Sequence, residues 1–79
     1  MNMKLITFRS ITPAQRGQRV LQQGGIEAAL MRTPRRMEEK GCGYCLRIRS
    51  ELLEKAICLL DEAEVHYEKV LPFGEEVVP

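Results

Sequence analysis

The sequence predicts a small α+β domain in which two helices cover one face of a four-stranded antiparallel sheet. Short runs of β-favouring residues alternate with two segments whose apolar residues recur at helical spacing. Their order is strand, helix, strand, strand, helix, strand, which is the βαββαβ pattern of ferredoxin-like domains. With right-handed crossovers, strands 1 and 3 are central neighbours, and the sheet face away from the helices stays open.

The first strand and helix have clear boundaries in the sequence. Residues 4–9, KLITFR, favour β structure and predict strand 1. Thr12 is the expected N-cap of helix 1, because Pro13 suits the first helical position and Gln15 completes a capping box. Gly24-Gly25 is the expected end of this helix.

Alternation and helical periodicity place the remaining elements. In strand 3, Tyr44 is expected to face the helices, whereas Cys45, Arg47 and Arg49 face the open side of the sheet. The predicted ranges are residues 26–32 for strand 2, 44–49 for strand 3, 50–64 for helix 2 and 65–71 for strand 4. We therefore expect one domain over residues 1–73 and a flexible tail at residues 74–79.

Composition narrows the classes of function. The chain has 79 residues and a net charge of +1, so it suits one domain and lacks the basic excess typical of nucleic-acid binders. No apolar run approaches the roughly 20 residues that span a bilayer, and the first residues lack a secretory signal. Three cysteines are an odd count in a short chain, which favours the reducing cytoplasm over a disulfide framework.

The segment Gly41-Cys42-Gly43 carries the candidate site. Strand 1 ends where helix 1 begins, and the start of strand 3 lies beside that end, so Cys42 is expected near the N-terminus of helix 1 and Thr12. The unpaired N–H groups and partial positive charge of a helix N-terminus lower the pKa of a thiol. Arg9 and Arg35 are close in sequence to this edge and add positive potential, and the glycines leave the sulfur accessible. The alternative is a small side chain that only packs in a tight turn.

Cys45 follows three residues after Cys42 and raises two further alternatives. In an extended segment the two Cα atoms lie about 10 Å apart, beyond the roughly 7 Å that a disulfide allows. A redox pair therefore requires a turn. A metal site is disfavoured, because one C-x-x-C supplies two of the four ligands of a structural zinc. Cys58, within helix 2, is expected to be a half-buried packing residue.

Several short motifs resemble those of the selenium/sulfur carrier-like family, a group of short bacterial proteins. They extend over residues 3–71 and include Phe8-Arg9-Ser10, Thr33-Pro34-Arg35, Gly41-Cys42-Gly43 and Leu46-Arg47-Ile48. The resemblance implies that Cys42 holds sulfur or selenium as a persulfide or selenopersulfide. The position of Cys45 is commonly a small residue in that family, so the resemblance does not imply a dithiol.

The leading hypothesis is a cytoplasmic carrier that needs no cofactor, with sulfur or selenium donor and acceptor proteins as its partners. No acid/base pair or phosphate loop accompanies Cys42, so a carrier is favoured over an enzyme. Sequence-specific RNA binding is disfavoured, because the outward positions of strand 3 hold no aromatic residue for base stacking. A non-catalytic interaction or regulatory module, including a homodimer, and a C-x-x-C redox protein remain alternatives.

Overall fold

A computed structural model describes residues 3–33 and 43–73. The elements are β1 (Met3–Phe8), α1 (Ile11–Gln23), β2 (Ala29–Arg32), β3 (Tyr44–Arg49), a 3₁₀ turn (Ser50–Leu52), α2 (Leu53–Glu62) and β4 (Val70–Phe73). The sheet order is β2-β3-β1-β4, and every pair is antiparallel. The predicted α+β ferredoxin-like fold is confirmed, with β1 and β3 as the central strands.

The core lies between the helices and one face of the sheet. Alternate residues of the central strands project toward it, as the period of two requires, and each helix contributes an apolar stripe. Its fully buried members include Ile6, Phe8, Leu46 and Ile48 from the strands and Ala14, Leu21, Ala56 and Leu60 from the helices. Gly17 brings α1 close to the sheet, because a Cβ there would lie 3.1 Å from Phe8 Cζ.

Helix α1 ends in a Schellman motif. Gly25 adopts a φ of +88°, a conformation that glycine reaches without steric cost. Its N–H donates to the Gln22 carbonyl at 3.0 Å, and the Ile26 N–H donates to the Leu21 carbonyl at 2.8 Å. These two bonds satisfy helix-end carbonyls, and Ile26 is buried next to the helix it terminates.

Helix α2 ends in the same motif without a glycine. Glu64 holds a φ of +59°. Its N–H donates to the Asp61 carbonyl at 3.0 Å, and the Val65 N–H donates to the Leu60 carbonyl at 2.9 Å. The hydrogen bonding is complete, but an L-residue in this left-handed conformation carries a steric cost.

Several predicted boundaries were wrong. Helix α1 begins at Ile11 with Ser10 as its N-cap, so Thr12 is an exposed residue of the first turn. The segment from Ser50 opens as a 3₁₀ turn before α2. Strand β2 begins at Ala29, because Ile26 completes the cap of α1.

Strand β4 begins at Val70 rather than residue 65, because Val65 completes the cap of α2. The chain then meets β1 through Thr7, whose carbonyl accepts from the Glu68 N–H at 2.7 Å and whose N–H donates to the Lys69 carbonyl at 2.8 Å. The Thr7 hydroxyl also accepts from the Lys69 N–H at 3.0 Å. Pro72 belongs to β4, where it is opposite Lys4. The predicted tail at residues 74–79 lies outside the described residues.

Candidate functional site

The end of β1 and the start of β3 meet at one edge of the sheet. Phe8, the last residue of β1, is opposite Tyr44, the first residue of β3. Gly43 immediately precedes Tyr44 and is buried. A Cβ at Gly43 would lie 3.3 Å from the Phe8 carbonyl oxygen, so glycine is what allows the two backbones to approach this closely. Helix α1 begins three residues after Phe8.

Of the predicted site residues, Gly43, Cys45, Arg9 and Thr12 lie within the described part of the chain. Cys42, Gly41 and Arg35 lie outside it. The structure therefore describes Gly43 and the start of β3, but not the cysteine of the Gly-Cys-Gly segment.

Cys45 lies on the sheet face away from the helices, as alternation predicts, but it is not exposed. It sits between Thr7 of β1 and Met31 of β2, and its exposed fraction is 0%. Leu5, on the same face, is equally buried. The expectation of an open face was therefore wrong at these two positions, where both side chains are fully buried. Arg47 and Arg49 do face solvent.

Burial raises the pKa of the Cys45 thiol, because a thiolate loses solvation there; the nearby Thr33 hydroxyl and the Arg47 charge oppose this with smaller effects. The thiol is therefore protonated at neutral pH, and a protonated, buried thiol is a poor nucleophile. Cys45 has the properties of a packing residue.

Thr33 follows β2 and lies next to Gly43, although no role at the site was predicted for it from the sequence. Its backbone N–H donates to the Gly43 carbonyl at 3.1 Å. Thr33 is 6% exposed. Its Oγ1 is buried and has no partner at good hydrogen-bond geometry. The Thr33 hydroxyl lies close enough to the Cys45 thiol to lower its pKa, against the larger effect of burial. No sequence signal distinguishes this threonine from an ordinary one before a proline.

Arg9 and Thr12 line a cleft of about 480 Å³ between the start of α1 and the segment that follows α2. Arg9 pairs with Glu68 at 3.2 Å, and the Arg9 side chain remains 86% exposed. Arg16, which sequence reasoning missed, donates to the Ala63 carbonyl at 3.0 Å at the C-terminal end of α2. Both positive residues therefore have partners, and Glu68 offsets part of the positive charge expected from Arg9.

Cys58 is exposed on α2, which corrects the expectation of a half-buried residue. Within residues 3–33 and 43–73, no three His, Cys, Asp or Glu side chains come together in a way that could hold a metal ion. Neither α1 nor α2 is long and apolar enough to cross a membrane, in the part of the chain that the structure describes.

A protein-family model described as "Putative Se/S carrier protein-like" matches residues 3–72, which is nearly the whole chain. Comparisons with curated proteins and with solved structures returned no match.

Proposed function

Since the chain belongs to the Se/S carrier protein-like family, we propose that it carries a sulfur or selenium atom on Cys42 between a donor and an acceptor protein. The family match over residues 3–72 is the observation that carries this proposal. In this proposal Cys42 is the carrier thiol, and Gly41, Gly43, Arg35, Arg9 and Thr12 are its supporting residues.

The position of Gly43 supports the choice of Cys42. Consecutive Cα atoms are about 3.8 Å apart across a trans peptide bond, so Cys42 is tied to a residue packed against the end of β1. Helix α1 begins three residues after Phe8, the last residue of β1. Its N-cap Ser10 makes no side-chain capping bond, and its first turn holds no acidic residue. The unsatisfied N–H groups and partial positive charge there favour an anion at this edge.

The proposed chemistry is an exchange at a persulfide. The Cys42 thiolate attacks the outer sulfur of a donor persulfide, R–S–S–H. A bond forms between Cys42 Sγ and that sulfur, the S–S bond of the donor breaks, and the donor leaves as R–S⁻. Cys42 then holds Cys–S–S–H, or Cys–S–Se–H if selenium is carried. Attack of an acceptor thiolate on the outer atom regenerates the Cys42 thiolate, with no external oxidant or reductant.

The properties of Cys45 argue against the redox alternative. A dithiol mechanism requires Cys45 to attack or leave as a thiolate, but its thiol is fully buried within three paired strands, and burial raises its pKa. The extended backbone of β3 from Tyr44 onward also disfavours a turn that would bring Cys45 toward the preceding residues.

Intact-protein mass spectrometry tests the assignment. The reduced protein is incubated with glutathione persulfide, and we expect one added sulfur that reductant removes. Cys45→Ala and Cys58→Ser should load as the wild type does, whereas Cys42→Ala should not load. Loading of Cys42→Ala to the wild-type extent would refute the assignment of the carrier thiol.

A further inference from the structure

We propose that the outer edge of β2 binds a second copy of this chain, so that two four-stranded sheets join into one continuous sheet. The contact is made by β2 of each copy, and a two-fold axis relates the two strands. This inference goes beyond the proposed function and does not depend on it.

The backbone of β2 has hydrogen-bonding groups that point away from the sheet. β2 lies at one edge of the sheet, with β3 on its inner side. The Thr33 N–H donates to the Gly43 carbonyl at 3.1 Å, and in an antiparallel pair such bonds recur at every second residue. The N–H and C=O groups of Leu30 and Arg32 therefore point outward. No hydrogen bond within the part of the chain that the structure describes uses these outward groups.

The opposite edge of the sheet, formed by β4, is protected against strand pairing. The Thr7 N–H donates to the Lys69 carbonyl at 2.8 Å, and the register continues from that bond, so Val70 and Pro72 are the outward residues of β4. Pro72 has no N–H to donate, and the charged residues Glu68 and Lys69 are exposed just before the strand. Proline and charge are features that prevent edge pairing. β2 contains no proline, so its edge is the one that can accept a strand.

The outward groups of β2 are complementary to those of a second copy. With Met31 on a two-fold axis, Leu30 of each copy is opposite Arg32 of the other, and each of these pairs exchanges two N–H···O bonds. A register with Leu30 on the axis would need the Ala28 carbonyl, which already accepts from Gln18 Nε2 at 2.9 Å. The register centred on Met31 therefore uses the free groups and avoids the occupied one.

The helix surface beside this edge is uncharged. One stripe of α1 consists of Ile11, Gln15, Gln18 and Gln22, which recur at helical spacing. Gln18 reaches the Ala28 carbonyl, so this stripe lies beside β2. Uncharged residues suit a contact between identical surfaces, because charges near a two-fold axis would meet their own copies. The same property disfavours a partner that is recognised by charge.

Arg32 is the one charged residue of β2, and its charge is directed toward its own sheet. Its Cζ lies 5.5 Å from the centroid of the Tyr44 ring on β3, which is a cation–π contact. Met31 projects from the other face of the sheet and is half-buried. Its flexible side chain can pack against its symmetry copy, since the two Cα atoms would lie about 4.5 Å apart. The side-chain contact at the axis is therefore apolar.

Sedimentation velocity of the full chain over a range of concentrations tests the proposal. We expect a species of twice 9.0 kDa whose fraction rises with concentration. Met31→Lys places like charges together at the axis and should raise the dissociation constant of the dimer at least about tenfold. Leu71→Lys is the matched control, because Leu71 is half-buried on the same face of the sheet but belongs to β4; it should leave the dimer unchanged. Circular dichroism verifies that both variants are folded.

Amide hydrogen exchange of the wild-type protein provides a test that needs no variant. The N–H groups of Leu30 and Arg32 should become protected as the dimer fraction rises, whereas the exchange rate of the Val70 N–H on β4 should not depend on concentration. A monomer at every concentration overturns the proposal, including the case in which β2 binds a strand of a different protein. A dimer of unchanged affinity in folded Met31→Lys, or a dimer in which Leu30 and Arg32 stay unprotected, also overturns it.

Discussion

Replacement of Glu64 by glycine should stabilise the protein. Glu64 closes α2 at a φ of +59°, and a left-handed L-residue costs about 1–2 kcal/mol. Its carboxylate also lies at the negative end of the helix dipole, which at an exposed site costs about 0.3 kcal/mol. Glycine removes both costs but adds about 0.5–1 kcal/mol of backbone entropy that is lost on folding. The net gain expected for Glu64→Gly is about 1 kcal/mol.

Thermal unfolding followed by circular dichroism measures this gain. For a domain of this size, 1 kcal/mol corresponds to a rise in Tm of about 4–8 °C. Glu64→Ala is the matched control, because it removes the charge and keeps the left-handed backbone; we expect a change of about 0.3 kcal/mol or less.

Gly25→Ala provides the converse test at the end of α1. Gly25 occupies the same position of the same motif at a φ of +88°, and a Cβ there would meet nothing within 4 Å. Only backbone strain should change, so we expect a loss of about 1 kcal/mol. An unchanged or lower Tm in Glu64→Gly, or a higher one in Gly25→Ala, would refute the interpretation of both helix ends.

Four further predictions concern packing, thiol accessibility, protonation and surface charge. Gly17→Ala should lower the free energy of unfolding by about 1 kcal/mol, since overpacking against Phe8 Cζ at 3.1 Å outweighs the gain in helix propensity; a higher Tm would contradict this. In native protein, iodoacetamide should modify exposed Cys58 and spare buried Cys45. The raised pKa of Cys45 means that the unfolded chain releases its proton first as pH rises above 9.0, so stability should fall there more steeply in wild type than in Cys45→Ala. Arg9→Ala should cost less than about 1 kcal/mol in chemical denaturation, because its ion pair with Glu68 is exposed.

The fold was predictable from the sequence because the two periodicities are strong. Leu46 and Ile48 alternate with Arg47 and Arg49 along β3, which fixes the face that meets the helices. The order of elements then determined that β1 and β3 pair at the centre.

The boundaries after the helices were not predictable from the same patterns. Ile26 and Val65 are apolar and lie just before a strand, so alternation assigns them to strands. Each instead completes a Schellman motif and packs against the helix that it ends. At α2 the usual sequence signal is also missing, because the left-handed position holds Glu64 instead of glycine.

The burial of the candidate site could be predicted only in part. Alternation placed Cys45 on the correct face of β3 but did not predict its complete burial. Its neighbours in the sheet, Thr7 and Met31, come from distant parts of the chain. The unpartnered hydroxyl of Thr33 is likewise a property of tertiary packing, which no local pattern encodes.

Delivery of the bound atom is the most direct test of the carrier function. The protein is loaded with glutathione persulfide, freed of donor by gel filtration and mixed with a thiol-bearing acceptor peptide, and both masses are followed over time. We predict that the protein loses one sulfur as the peptide gains one, and that Cys42→Ala neither loads nor delivers. A wild-type protein that retains its sulfur, or that releases it as sulfide while the peptide stays unmodified, would contradict the account.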